Sequence, residues 1–380
     1  MSSGSRLRHS LSWLAEHAER RRAAGLRRVL RARTPDEPVV DLAGNDYLGL
    51  SRDPRVVEGG VAALRAWGAG STGSRLVTGT TTLHSELERE LAGFCGFESA
   101  LVFSSGYLAN LGVLTALSGP DSLIVSDAAN HASIVDACRL SRARIAVVPH
   151  NDIAAVDDVL DARAEQRALV VTDSVGSVDG DHAPLAALHR VTRARDAVLV
   201  VDEAHALGVC GPGGRGLLAE TGLAGTGDVV ATVTLSKALG SQGGAVLASV
   251  EVIEHLVDTA RGFIFDTGLA PASVGSALMA LRVLAGEPAL PAAVLANALA
   301  IADVVGAPMP RSAVVPVVIG EAVAAYAAAE RCLAGGLRVG CFRPPSVPVG
   351  TSRLRLTARA NLGSDELALA RAVLTEALGR

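Results

Sequence analysis

The chain has 380 residues, 49% of them apolar and 19% charged, with a formal net charge of −4. This composition supplies a large buried core and excludes a disordered chain. It also argues against a nucleic-acid partner, which needs a clustered basic face. The one basic cluster, Arg20-Arg21-Arg22 through Arg33, reads as a solvated helix face. Five scattered cysteines form no C-x-x-C pair, so no metal site is expected. Their odd number, with no secretory apolar stretch, predicts reduced thiols and a cytoplasmic location. Residues 99–120 carry no charge, but Ser104, Ser105, Asn110 and Pro120 interrupt them, so no membrane span is expected.

In chain order, residues 5–33 are expected to form an amphipathic helix through Leu7, Leu11, Leu14, Ala18, Leu26 and Leu30, ended by Pro35 and Pro38. A short extended piece over 41–50 and a helix over 53–68 follow. From there to about 250, apolar runs of strand length alternate with helical stretches: 100–103, 122–126, 145–149, 168–172, 197–202, 229–234 and 244–248. Runs buried on both faces and separated by helices predict a mostly parallel sheet in an α/β architecture. Beyond 285, helices over 289–304, 321–335 and 364–378 alternate with extended pieces over 313–319 and 341–355. This predicts a smaller α+β unit.

Ligands of such sheets sit at the carboxyl ends of the strands, and the unusual residues of this chain cluster there. Lys237 is the only lysine among the 35 Lys+Arg residues. Arginine replaces lysine wherever positive charge suffices, but its guanidinium is no amine nucleophile. Asp202 ends an apolar run, where a carboxylate needs a cation. Ser104-Ser105-Gly106-Tyr107 enters a helix whose N-terminus suits a phosphate, and Tyr107 is a candidate stacking ring. Ser177 supplies a hydroxyl, His131 follows a strand end, and glycines after Lys237 permit close backbone approach. An amine, an acid for a ring nitrogen and a phosphate cradle are together what pyridoxal 5′-phosphate requires. A nucleotide-dependent dehydrogenase is excluded by the lack of G-x-G-x-x-G after a first strand.

The motifs Asn45-Asp46-Tyr47-Leu48-Gly49, Gly73-Ser74-Arg75, Ser105-Gly106-Tyr107, His131-Ala132-Ser133, Ser177-Val178-Asp179-Gly180, Asp202-Glu203-Ala204-His205, Thr234-Leu235-Ser236-Lys237 and Arg343-Pro344-Pro345 resemble those of the α-oxoamine synthases, in order along nearly the whole chain. These are fold-type-I pyridoxal-phosphate enzymes that condense an amino acid with an acyl thioester and release carbon dioxide. The resemblance implies a large domain with a mostly parallel seven-stranded sheet flanked by helices, and a smaller C-terminal α+β domain. The expected divisions are an N-terminal helical segment (1–44), a cofactor domain (45–285) and a small domain (286–380).

The resemblance implies that Lys237 holds the cofactor and acts as the base at Cα. Asp202 keeps the ring nitrogen protonated, and His131 stacks on the ring near substrate. Ser177 and His205 meet the ring hydroxyl, while Gly106, Tyr107 and Thr234 lie on the phosphate side. Arg27, Asn45, His131, Ser346 and Arg355 contact substrate, and Arg355 grips the amino-acid carboxylate. A homodimer with sites at the interface is implied, with Thr267 reaching the neighbour's phosphate. Arg21 to Arg28 and residues 343–356 look most like the branch that joins L-alanine to a pimeloyl thioester of coenzyme A or acyl carrier protein. Glycine acetyltransferase, 5-aminolevulinate synthase and serine palmitoyltransferase are the alternatives within the family. Gly44, Gly176, Ala206, Asp266 and Ser346 depart from the family's usual residues, and Ala206 matters if its backbone needs a positive φ.

Overall fold

A computed structural model describes residues 10–379. Its strands are β1 (Val40–Leu42), β2 (Ser99–Phe103), β3 (Ser122–Asp127), β4 (Arg144–Val148), β5 (Arg167–Asp173), β6 (Val198–Asp202), β7 (Val229–Thr234), β8 (Gly244–Ala248), β9 (Val314–Gly320), β10 (Leu337–Phe342) and β11 (Ser352–Thr357). β2 to β8 form one seven-stranded sheet in the order β2-β8-β7-β6-β5-β3-β4. Only β8 runs antiparallel to its neighbours. The parallel strands β3 and β5 to β7 are buried almost throughout, which is why they read as unbroken apolar runs.

This topology brings the carboxyl ends of β2, β3, β5, β6 and β7 to one edge. The polar residues that follow each run therefore converge, although more than a hundred positions separate the first from the last. A second sheet has the order β1-β10-β11-β9. Its two antiparallel pairings, β10 with β11 and β11 with β9, place Arg353 and Arg355 on the middle strand β11.

Two expectations are corrected. The first helix covers Trp13–Ala23 rather than 5–33 and buries no residue. Gly25 at φ +67° turns the chain, and the segment then runs without helix to β1, which pairs with β10. Leu11 and Leu14 stay exposed, so the stripe that suggested a long helix has no core to face. Leu7 and the other residues before position 10 lie outside the described residues. The extended piece expected over 341–355 is instead the end of β10, a proline-containing loop and the start of β11.

The helix Gly106–Leu117 starts directly after β2, and Ser105 caps it by accepting from Leu108 N–H at 3.1 Å. Its first turn lies against β8: a Cβ on Gly244 would fall 2.4 Å from Gly106 Cα. By contrast Gly93, in the helix Thr82–Cys95, has open space where a Cβ would go. Gly244→Ala is therefore expected to cost about 1–3 kcal/mol, while Gly93→Ala gains about 0.5–1 kcal/mol. Urea unfolding of the two variants checks this; equal effects would contradict the close approach.

Candidate active site

Lys237 follows β7, half-buried, with its Nζ 2.6 Å from His205 Nε2. Burial pulls its amine down to about 8, against the opposing pull of Asp202 and Asp173. A substantial neutral fraction near pH 7–8 follows, which an amine nucleophile or base requires. Its surroundings are those of a reactive amine.

Asp173 and Asp202 end adjacent strands and pair in register. Asp202 is tied at one oxygen by Asn110 Nδ2 (2.7 Å) and at the other by Ala204 N–H (2.8 Å). Asp173 accepts from His131 N–H at 3.1 Å through Oδ2, while its buried Oδ1 has no partner. Burial and the Asp202 carboxylate push Asp173 well above the usual carboxylate range. Both causes favour its protonated form.

His131 caps the helix Ala132–Ser141, its Nδ1 within 2.8 Å of Ser133 Oγ. Ser133 Oγ also accepts from Asn110 Nδ2 at 2.9 Å, and Asn110 Oδ1 accepts from Thr232 Oγ1 at 2.7 Å. Burial, aided by the charge on Lys237, lowers the His131 pKa and favours a neutral ring. His205 is also held neutral, first by burial and then by the cations Lys237 and Arg355.

Arg355 is 6% exposed and forms no ion pair among the described residues. Its Nη1 donates to Ser177 O (2.8 Å) and its Nη2 to Asn45 Oδ1 (2.9 Å), while Nε is buried without a partner. Phe342 stacks on the guanidinium at 4.6 Å. A buried arginine with an unused donor and no carboxylate is suited to an anionic ligand.

On the phosphate side, Gly106 opens its helix beside Thr234, 3.3 Å from where a Cβ would sit. Thr234 Oγ1 meets Ser236 Oγ at 2.7 Å. Tyr107 is 41% exposed and its hydroxyl donates to Asp136. Thr267 is exposed, bridged to Ser74. Asp266 accepts from Ser104 Oγ.

The substrate residues divide into two groups. Asn45 and Arg355 meet directly. Ser346 lines a separate cavity of about 240 Å³ with Leu26, Arg28, Phe342, Arg343 and Pro344. Arg28, rather than Arg27, lines that cavity; Arg27 offers only its carbonyl to Arg343, at 3.4 Å. Phe342 joins the two groups, since it also packs on Arg355.

Ala206 is fully buried, and its φ is not positive; the left-handed position nearby is Gly208 at φ +81°. Alanine there is accordingly unstrained. Gly176 lacks a side chain where a Cβ would lie 2.4 Å from Asp181 Oδ1. Asp181 instead reaches His150 Nε2 at 2.8 Å, and His150 Nδ1 meets Asp127 at 2.8 Å. Asp181 O also accepts from Gly176 N–H (2.9 Å), so this clamp holds the loop that carries Ser177.

Asp173, Asn110, Thr232 and Tyr47 carry no role in the reading from sequence. Asp173 ends an apolar run as Asp202 does, and that parallel was the available signal. Asn110 and Tyr47 stand within motifs that resemble the family's, and nothing local marks Thr232.

With the geometry in place, the family can be given. Residues 37–374 match the class I and II aminotransferases, and the chain belongs to that family. Within it, the chain belongs with the 8-amino-7-oxononanoate synthases. It is 65% identical over 371 residues to that enzyme from Mycolicibacterium gilvum, covering 97% of this chain and 98% of the relative. Against the Mycolicibacterium smegmatis enzyme it is 64% identical over 369 residues, 97% of each. Among solved structures, Sphingomonas wittichii serine palmitoyltransferase superposes with a TM-score of 0.90 at 31% identity, over 98% of both chains. The 8-amino-7-oxononanoate synthase of Francisella tularensis gives 0.77 at 26% identity, over 90% of this chain and 99% of that one. A serine palmitoyltransferase from S. paucimobilis with bound PLP and myriocin gives 0.90 at 30%, over 98% of both.

The clamp predicts a pH dependence. Its two aspartates raise His150 from 6.5 to about 10. The stability gained from its charge is complete below pH 6.5 and is lost as pH rises through 10. In urea titrations the advantage of wild type over His150→Gln should shrink between those values; a constant difference would contradict the clamp.

Proposed function

We propose that this chain condenses L-alanine with a pimeloyl thioester of coenzyme A or acyl carrier protein. The products are 8-amino-7-oxononanoate, carbon dioxide and the free carrier, a step of biotin biosynthesis. The observation that carries this reading is 65% identity over 97% of the chain to an enzyme of that name, together with a buried Arg355 that lacks a carboxylate partner.

Pyridoxal 5′-phosphate, when bound, supplies an aldehyde for the amines and a protonated ring that absorbs the electron pair left at Cα. The residues fit that group. Asp202, fixed by Asn110 and Ala204, would hold the proton on the ring nitrogen. The opening turn of Gly106–Leu117, with Thr234 beside it, would present donors to the phosphate. Lys237 would offer its amine to the aldehyde and serve as the base at the substrate Cα. His131 would cover the ring, Ser177 and His205 would meet its hydroxyl, and Tyr107 would lie on the phosphate side.

Arg355 and Asn45 orient the alanine carboxylate, a task suited to a guanidinium. The cavity holding Ser346 and Arg28 carries two cations, Arg28 and Arg343, which favours an anionic acyl thioester; Arg27 contributes beside it. We further propose a homodimer in which Thr267 of one copy meets the phosphate of the other. Among the described residues no single helix is long and apolar enough to cross a membrane; a cytoplasmic location is part of the proposal.

Product mass tests the proposal. Alanine with pimeloyl-CoA should yield 8-amino-7-oxononanoate, whereas glycine with acetyl-CoA should not; the reverse result would move the chain to another branch. Lys237→Arg retains the charge but not the amine, so turnover should fall at least about a thousandfold.

A further inference from the structure

The basic cluster of the N-terminal segment is largely unused by the roles above, yet the positive charge of the chain is concentrated there. Residues 1–33 hold nine of the 35 Lys+Arg and two of the 39 Asp+Glu. They carry a net charge of +7, so the rest of the chain carries −11 and the whole −4. The preference for arginine over lysine does not produce this, because exchanging one cation for another moves no charge. An asymmetry of this kind marks a surface for an anionic partner.

The fold leaves that surface open. Trp13–Ala23 has 11 residues and buries none of them, and a free helix of that length is marginal in water. Its last turn holds Arg20, Arg21 and Arg22, all exposed. Arg22 pairs with Glu19 on the same helix. Among the described residues no carboxylate pairs with Arg20, Arg21, Arg27 or Arg28. Trp13 is half-exposed on the same helix, and tryptophan and arginine are residues that interfaces favour.

The end of this helix is tied to the cavity that contains Ser346. Leu26 N–H donates to Arg21 O at 2.8 Å, and Leu26 and Arg28 line that cavity. Arg343, in the same lining, donates to Gly25 O and stacks on Tyr326 at 4.8 Å. Arg31 reaches Tyr326 at 3.0 Å and Glu330 at 2.8 Å, both on the helix Ala322–Ala334. We propose that the exposed arginines of Trp13–Ala23 dock an acidic acyl carrier protein, whose thioester arm enters the cavity at Ser346. The inference rests on the acyl-transfer reading above and selects one of its two carriers. Arg28 and Arg343 face the anionic arm, which both carriers share. Arg20 and Arg21 do not line the cavity. They stand on a helix about 16 Å long, so the anions that match them are spread over a protein surface.

The test compares kcat/KM for the same pimeloyl group on acyl carrier protein and on coenzyme A, with alanine and the loaded enzyme. In Arg20→Glu/Arg21→Glu the value for the carrier protein should fall about thirtyfold, while that for coenzyme A stays within about twofold. Arg20→Gln/Arg21→Gln, which keeps good helix formers, should show the same split at about fivefold. Salt should weaken use of the carrier protein more steeply in wild type than in either variant. An equal fall with both carriers, an undiminished value with the carrier protein, or no use of it by wild type would overturn the docking. So would calorimetry that finds binding to duplex DNA and none to the carrier protein. A change in the mass of either variant by light scattering would assign the face to a contact between copies and overturn it as well. Failure of the proposed reaction would show separately, as absence of the expected product mass from wild type with both carriers.

Discussion

Two carboxylates side by side at the ends of buried parallel strands impose the condition that the rest of the site satisfies. Asp173 and Asp202 are paired in register, and in a medium of low dielectric they cannot both be ionised at no cost. Asp173 resolves half of the conflict by retaining a proton. Asp202 resolves the other half by accepting from Asn110 and Ala204. A nearby cation eases the remaining conflict, and Lys237 is close enough to feel both carboxylates. A protonated pyridine ring meets the same need.

From this charge the electrostatics spread outward. The anion limits the depression of the Lys237 pKa, so the amine stays near neutrality instead of being wholly uncharged. Burial, with Lys237 and Arg355, in turn keeps His205 neutral, its ring nitrogens facing Tyr47 and Lys237. The smaller sheet enters through β11, which delivers Arg355 to this edge.

Much of this was legible in the sequence, for a physical reason. Strands covered on both faces must be apolar throughout, so the seven runs of the large sheet stood out, and the chemistry-bearing residues stood where those runs stopped. Lys237, Asp202 and His131 were found that way, while roles for His205 and Thr234 came with the resemblance. Arg355 came instead from the resemblance, because β11 alternates arginine with leucine and has no apolar run to mark its end. Tyr47 was quoted only as part of a motif, since its partner His205 is 158 positions away and no local pattern announces that contact. The first helix was drawn too long for the opposite reason. Its leucines follow helical spacing, but tertiary pairing of β1 with β10 pulls the chain straight after Gly25.

On the proposed reading, Asp202 stands at the end of β6 to hold a protonated ring. Pyridoxamine 5′-phosphate isolates that interaction, because it keeps the ring nitrogen and phosphate but has no aldehyde for Lys237. Its affinity for the cofactor-free full chain, measured by calorimetry, should fall by about ten- to a hundredfold in Asp202→Asn. Equal affinity in wild type and Asp202→Asn would contradict the account.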